Sequence, residues 1–188
     1  TAISPFTGKK INRFTHVHQS TDDLIKKVKM MRMIGQKTGT CFQRCVGFDA
    51  MNASFITTYK IDKKYGTNYH QRLIDYMTYV QDNDLMIAGS MTDPKGDRSK
   101  KPSQQADPDL FVHIVERRED GIVVRGAKAH QTGMVNSHEM LILPTTNLGP
   151  DDKDYAVAAA IPVDAPGVIH FFGRQTNENR RLEGDIDT

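Results

Sequence analysis

Apolar residues recur at helical spacing through the early part of the chain and in short strand-like runs after it. Ser20-Thr21-Asp22-Asp23 offers a capping hydroxyl followed by acids in a first turn. Leu24, Val28 and Met31 then fall about one turn apart, with Ile34 close to the same face. Lys26, Lys27, Lys29 and Arg32 fill much of the remainder, and Gly39 supplies a stop. The methionines of this stretch read as core filling. The spacing predicts a second helix from about Thr40 to Lys64, ended by Gly66. A third runs from about Tyr69 to Gln81, with Leu73, Met77 and Val80 on one face.

The pattern changes after Asn83-Asp84. Leu110 to Glu116 reads as a strand, Asp120-Gly121 as a hairpin turn, and Ile122 to Arg125 as the returning strand. Glu139 to Leu143, Tyr155 to Ile161 and Val168 to Phe172 are three more predicted strands, punctuated by Pro144, Gly149-Pro150, Pro162 and Pro166-Gly167. The resulting expectation is an α+β fold with no internal repeat: a helical domain over residues 1–84, then an antiparallel β domain, sandwich or barrel, over residues 85–188. From Thr92 to Asp109 nothing is periodic, and a loop of that length is expected to be functional or disordered.

Composition narrows the classes. Twenty-five basic against 23 acidic residues leave a net charge of +2, too balanced for a nucleic-acid protein with a concentrated basic patch. No apolar run approaches the length of a membrane span. Two cysteines without an export leader do not make a disulfide framework, so a reducing cytoplasm is the expected location. The polar start at Thr1 and the hydrophilic run Glu183 to Thr188 are expected of a fragment or processed product.

The two cysteines, Cys41 and Cys45, are four residues apart, which on a helix sets both thiols on one face. Such a pair is either two buried thiols acting as small apolar groups or half of a soft-metal or iron–sulfur site. A disulfide is disfavoured by helical geometry. His16 and His18 form a His-x-His that reads first as a packing feature and second as a metal pair. His113 reads as structural, and Asn52-Ala53-Ser54 carries no meaning without export. Lys128 to Gly133 is a polar cluster that reads equally as a strand-end loop or as the holder of a flavin's polar edge.

The strings CFQRCVGFDAMNA, KYGTNYH, MTDPKGDR and DPDLFVHIVERREDGIVVRGAKAHQTG, in that order, resemble the 4-hydroxybutyryl-CoA dehydratase branch of the 4-hydroxyphenylacetate 3-hydroxylase-like flavoprotein family. The resemblance runs from about Gly8 to Asp187; the aromatic hydroxylases share the DGIVVRGAK hairpin but lack the cysteine pair. It implies an acyl-CoA-dehydrogenase-like architecture, in which this chain holds the N-terminal helical segment and the middle β domain and lacks a C-terminal helical bundle. It implies FAD bound by Met91, Thr92, Asp93, Pro94, Lys95, Gly96, Asp97 and Arg98 together with His130, Gln131, Thr132 and Gly133. Cys41 and Cys45 would be two of the four ligands of a 4Fe-4S cluster, with Gln43 beside cluster and substrate. The other two ligands, a cysteine and a histidine, would lie beyond Thr188.

The implied chemistry is radical dehydration of an acyl-CoA, 4-hydroxybutyryl-CoA to crotonyl-CoA, with isomerisation of vinylacetyl-CoA. A thioester does not acidify its β-proton, whereas one-electron oxidation of the α-enolate by flavin does, and the cluster takes the hydroxyl as a Lewis acid. The implied assembly is a homotetramer. The alternatives are a flavin-dependent phenol hydroxylase, which the cysteine pair argues against, and a non-catalytic flavin-binding fragment. The isolated chain is expected to be inactive.

Overall fold

The computed structural model describes residues 1–40 and 44–173, with the side chain of Cys45 also outside the description. Strands β1 (Ala2–Ile3) and β2 (Lys10–Ile11) form a short hairpin. Helices α1 (Thr21–Thr38), α2 (Cys45–Tyr65) and α3 (Tyr69–Asp82) follow. Strands β3 (Ile87–Ser90), β4 (His113–Arg117), β5 (Ile122–Arg125), β6 (Glu139–Ile142) and β7 (Ala159–Pro162) complete the elements. Among the described residues no helix is long and apolar enough to cross a membrane.

The helix signals act as read. Ser20 accepts a hydrogen bond from the Asp23 N–H at the start of α1, and Gly39 and Gly66 end α1 and α2 in the left-handed conformation. Met77 and Val80 of α3 are fully buried. The inward stripe of α1 differs from expectation. It runs through Lys27, Met30, Met31 and Ile34, a regular i, i+3, i+4, i+7 set, and leaves Leu24 and Val28 exposed. Lys27 takes a core position because its ammonium meets Asp49 of α2. The second helix starts at Cys45 with Arg44 as its cap, later than Thr40.

The β part is not an antiparallel sandwich, and among the described residues no barrel closes. One sheet has the order β3-β6-β7, with β3 parallel and β7 antiparallel to β6; β4 and β5 form a separate hairpin. The predicted strand at Tyr155 to Ile161 is reduced to β7, because Pro150–Tyr155 winds into a 3-10 helix that Asp152 caps by accepting from the Gly149 N–H at 2.6 Å. Val168 to Phe172 forms no strand: the Val168 N–H closes a turn onto Ala165, and Ile169, Phe171 and Phe172 are exposed.

Alternation along β3 and β6 gives the sheet two apolar faces. Ile87 and Leu141 meet Phe48 and Met51 of α2, Met77 and Val80 of α3, and Phe14 and Val17. Ala88, Met140 and Ile142 meet Val112, Met134 and Val124 on the other side. The sheet is therefore the common wall between the helices and the hairpin layer.

Candidate functional site

The cysteine-bearing end of α2 is held against β3 by missing side chains. A Cβ on Gly47 would lie 2.2 Å from the Ile87 carbonyl oxygen, and one on Gly89 would lie 2.7 Å from Val46 Cγ1. Arg44 fixes the same corner. Its guanidinium donates to Asp84 Oδ1 at 2.5 Å and to the Asp84 and Leu85 carbonyls at 3.2 Å each, and lies 5.7 Å from the centroids of both Phe14 and Phe48. Its Nε is buried without a partner. Cys41 and Gln43 lie outside the described residues. Cys45 is the first residue of α2. Among the described residues no three His, Cys, Asp or Glu side chains form a metal-binding group.

β3 leads from that corner directly into the segment 91–98. The Lys128 ammonium binds the Met91 carbonyl at 3.2 Å, Asp93 Oδ1 at 2.5 Å and the Leu143 carbonyl at 2.7 Å, while the Ala129 N–H donates to the Thr92 carbonyl at 2.9 Å. The start of segment 91–98 is thus tied, at the ends of β3 and β6, to Lys128 and Ala129, which lead into 130–133, the other segment singled out for flavin. Thr92, Lys95, Arg98, His130 and Thr132 are exposed there. His130 holds a left-handed backbone, φ 58°, uncommon outside glycine. Two buried polar atoms lack partners: Ser90 Oγ, just before Met91, and Gln131 Oε1. Buried polar atoms are rarely left unpaired, which sets these two apart within the segment ends.

The stretch 92–109 is ordered. Gly96, with φ 48°, sits so close to Leu110 and Gln105 that a Cβ would come within 2.6 Å of Leu110 Cδ2. Gln105 accepts from the Asp97 N–H at 2.9 Å, and Asp97 accepts from the Ser99 hydroxyl at 2.6 Å. Pro102 is buried, and Asp152 accepts from the Ser103 N–H at 2.9 Å, which ties the loop to the 150–155 helix. Hydrogen bonds from Ser103, its side chain first, and from the Gly149 N–H hold the Asp152 carboxyl below its ordinary value. Tyr155 donates to the Pro108 carbonyl at 3.1 Å. Asp97 and Gly96 are therefore occupied in shaping the loop, and Pro94 is half-buried behind it. Gly133 caps the 3-10 helix Met134–Asn136.

His16 and His18 flank buried Val17, with ring centroids 6.5 Å apart; Nδ1 of His16 lies 3.8 Å from Asp23 Oδ1, and Nε2 of His18 is buried without a hydrogen-bond partner. Burial lowers the pKa of both rings. His113 stacks on Tyr155, with ring centroids 4.9 Å apart. Sequence reasoning did not single out Arg44, Ser90 or Asp152, and quoted Lys128 only as part of a polar run. Arg44 sits between Gln43 and Cys45 in the string CFQRC and was the one with a signal.

The model of the 4-hydroxyphenylacetate 3-hydroxylase N-terminal region matches residues 1–188. The chain is 62% identical over its whole length to the 4-hydroxybutyryl-CoA dehydratase/vinylacetyl-CoA-Δ-isomerase of Clostridium aminobutyricum, covering 39% of that protein. It is 35% identical, over 68% of the chain, to the oxygenase component of 4-hydroxyphenylacetate 3-monooxygenase of Thermus thermophilus, covering 26% of it. Among solved structures, an oxygen-tolerant archaeal 4-hydroxybutyryl-CoA dehydratase from N. maritimus superposes with a TM-score of 0.86 at 56% identity. That match covers 88% of this chain and 33% of the archaeal one. The oxygenase component of 4-hydroxyphenylacetate 3-monooxygenase in complex with FAD superposes at 0.67 and 29% identity, over 86% of this chain and 33% of that one. The chain thus spans well under half the length of the relatives it matches.

Proposed function

This chain belongs to the 4-hydroxyphenylacetate 3-hydroxylase N-terminal family, and we propose that it forms the N-terminal and middle portion of a 4-hydroxybutyryl-CoA dehydratase that also isomerises vinylacetyl-CoA. The observation that carries the choice within the family is identity: 62% over the whole chain to the clostridial dehydratase, against 35% over 68% of the chain to the Thermus hydroxylase. The cysteine pair points the same way, since two thiolates have no role in hydroxylation by a reduced flavin.

The residues present suit both groups that this activity needs. Cys41 and Cys45 are residues of the soft thiolate type that iron–sulfur clusters take. Ser90 Oγ and Gln131 Oε1 are unspent polar atoms beside the segments proposed for FAD. When bound, FAD supplies one-electron chemistry at the acyl α-carbon and a 4Fe-4S cluster supplies Lewis acidity at the substrate hydroxyl. This chain's part is placement. Arg44 and Gly47 hold the cysteine-bearing turn on β3, and β3 carries the flavin segment at its other end. Gln43 is proposed to line the acyl-CoA side of the cluster. The remaining ligands and the acid–base groups are assigned to the C-terminal helical portion, and the assembled protein to a cytoplasmic homotetramer.

Anaerobic purification of the intact protein tests this reading. It should contain FAD, iron and sulfide and convert 4-hydroxybutyryl-CoA to crotonyl-CoA; Cys41→Ala should lose the iron and the dehydration together. The 188-residue chain alone should show no turnover. A yellow, iron-free protein that consumes oxygen with a phenol would assign it to the hydroxylases instead.

A further inference from the structure

Lys128 and Asp93 are both within the stretch that the flavin reading draws on, and a cation and a carboxylate there suggest direct contacts to the cofactor. Their hydrogen bonding leaves no room for that. An ammonium has three N–H donors, and those of Lys128 meet three acceptors: Asp93 Oδ1 at 2.5 Å, the Leu143 carbonyl at 2.7 Å and the Met91 carbonyl at 3.2 Å. A carboxylate offers about four lone-pair positions. Asp93 spends Oδ1 on Lys128, while Oδ2 accepts from the Thr145 hydroxyl at 2.8 Å, the Thr145 N–H at 3.3 Å and the Thr146 hydroxyl at 3.5 Å. Both side chains are 9% exposed.

A buried ion pair repays its desolvation only when its other donors and acceptors are satisfied, and here they are. The pair joins three stretches of chain: the exit of β3, the approach to 130–133, and the exit of β6. The polar atoms left without partners beside these stretches, Ser90 Oγ and Gln131 Oε1, belong to other residues.

We propose that Lys128 and Asp93 are positioning residues for the flavin: the pair fixes segments 91–98 and 130–133 relative to each other, and neither side chain touches the cofactor. This rests on the flavin reading above and corrects the place of Asp93 within it.

The test uses the intact protein with Lys128→Met, Asp93→Asn and the double variant, titrated with FAD after removal of bound flavin. Each single variant should weaken FAD binding at least tenfold. Flavin that remains bound should show the same altered visible absorption and circular dichroism in both. The double variant should bind no worse than either single one, because all three remove one joint. It also leaves no unpaired buried charge, so it serves where a single variant does not fold. Unchanged FAD affinity and spectrum in the double variant overturns the proposal. So do additive effects of the two substitutions, or an effect confined to Asp93→Asn, which would mark a direct contact. If the unsubstituted protein takes up no FAD, the flavin reading itself fails and the proposal with it.

Discussion

Arg44 shows how a single side chain organises a corner of this molecule. It reaches from the cap of α2 to the Asp84-Leu85 turn and lies against two aromatic rings. Arg44→Met should therefore destabilise the chain by on the order of 1.5–3 kcal/mol in denaturant titration, the range for hydrogen bonds to a charged group. In the intact protein it should also lower the iron content after anaerobic reconstitution. His16 predicts a pH dependence. Burial lowers its pKa from 6.5, with Asp23 opposing and Arg13 adding to the effect. The unfolded chain then takes up a proton more readily than the folded one. His16's contribution to stability is full above pH 6.5 and is lost as pH falls from there through the lowered native value. His18 acts in the same direction. Thermal melting should drop between neutral pH and pH about 5, and His16→Gln should flatten that drop.

At the scale of elements, contact between α2 and β3 depends on two glycines that are not equivalent. The obstacle to a side chain at Gly47 is the Ile87 backbone, which cannot move without breaking the sheet; at Gly89 it is the end of the Val46 side chain. Gly47→Ala should cost about 3 kcal/mol, the upper part of the usual overpacking range, and Gly89→Ala less. Val46→Ala should rescue the second and not the first, as read by chemical denaturation of the four variants. The long loop has its own fastener. Asp152→Ala frees Ser103 and should expose the bonds after Arg98 and Lys100 to trypsin while the helical circular dichroism stays unchanged. The appearance of a discrete cleavage product checks this, and equal resistance of both proteins argues that the loop is held elsewhere.

Across the whole molecule, the helices were legible because caps and stops are local. Ser20, Gly39 and Gly66 act where they stand in sequence. The face of α1 was misjudged because the eye follows Leu24 and Val28, while Lys27 is buried by a partner, Asp49, that only the tertiary structure supplies. The hairpin at Asp120-Gly121 was legible for the same local reason as the caps. β3 was not, because Ile-Ala-Gly-Ser has little β-branched character and its pairing partner lies far along the chain. The flavin segments came from resemblance, but the ion pair that joins them did not: its two members are separated by 35 residues. What each is bonded to is a property of the fold.

The parallel pairing of β3 with β6 also sets an order of assembly. The Met86 carbonyl accepts from the His138 N–H, and the Met86 N–H donates to the ring of His138, 52 residues further on. Loop closure over that distance is slow relative to helix formation. During synthesis α1 to α3 and Ile87 are all available well before β6 emerges. That order predicts that the helical half collapses first, with β3 docked on it as an unpaired edge, and that the cofactor segments are joined last. A chain stalled before residue 139 would present an open edge strand, the state in which such a protein is most exposed to aggregation.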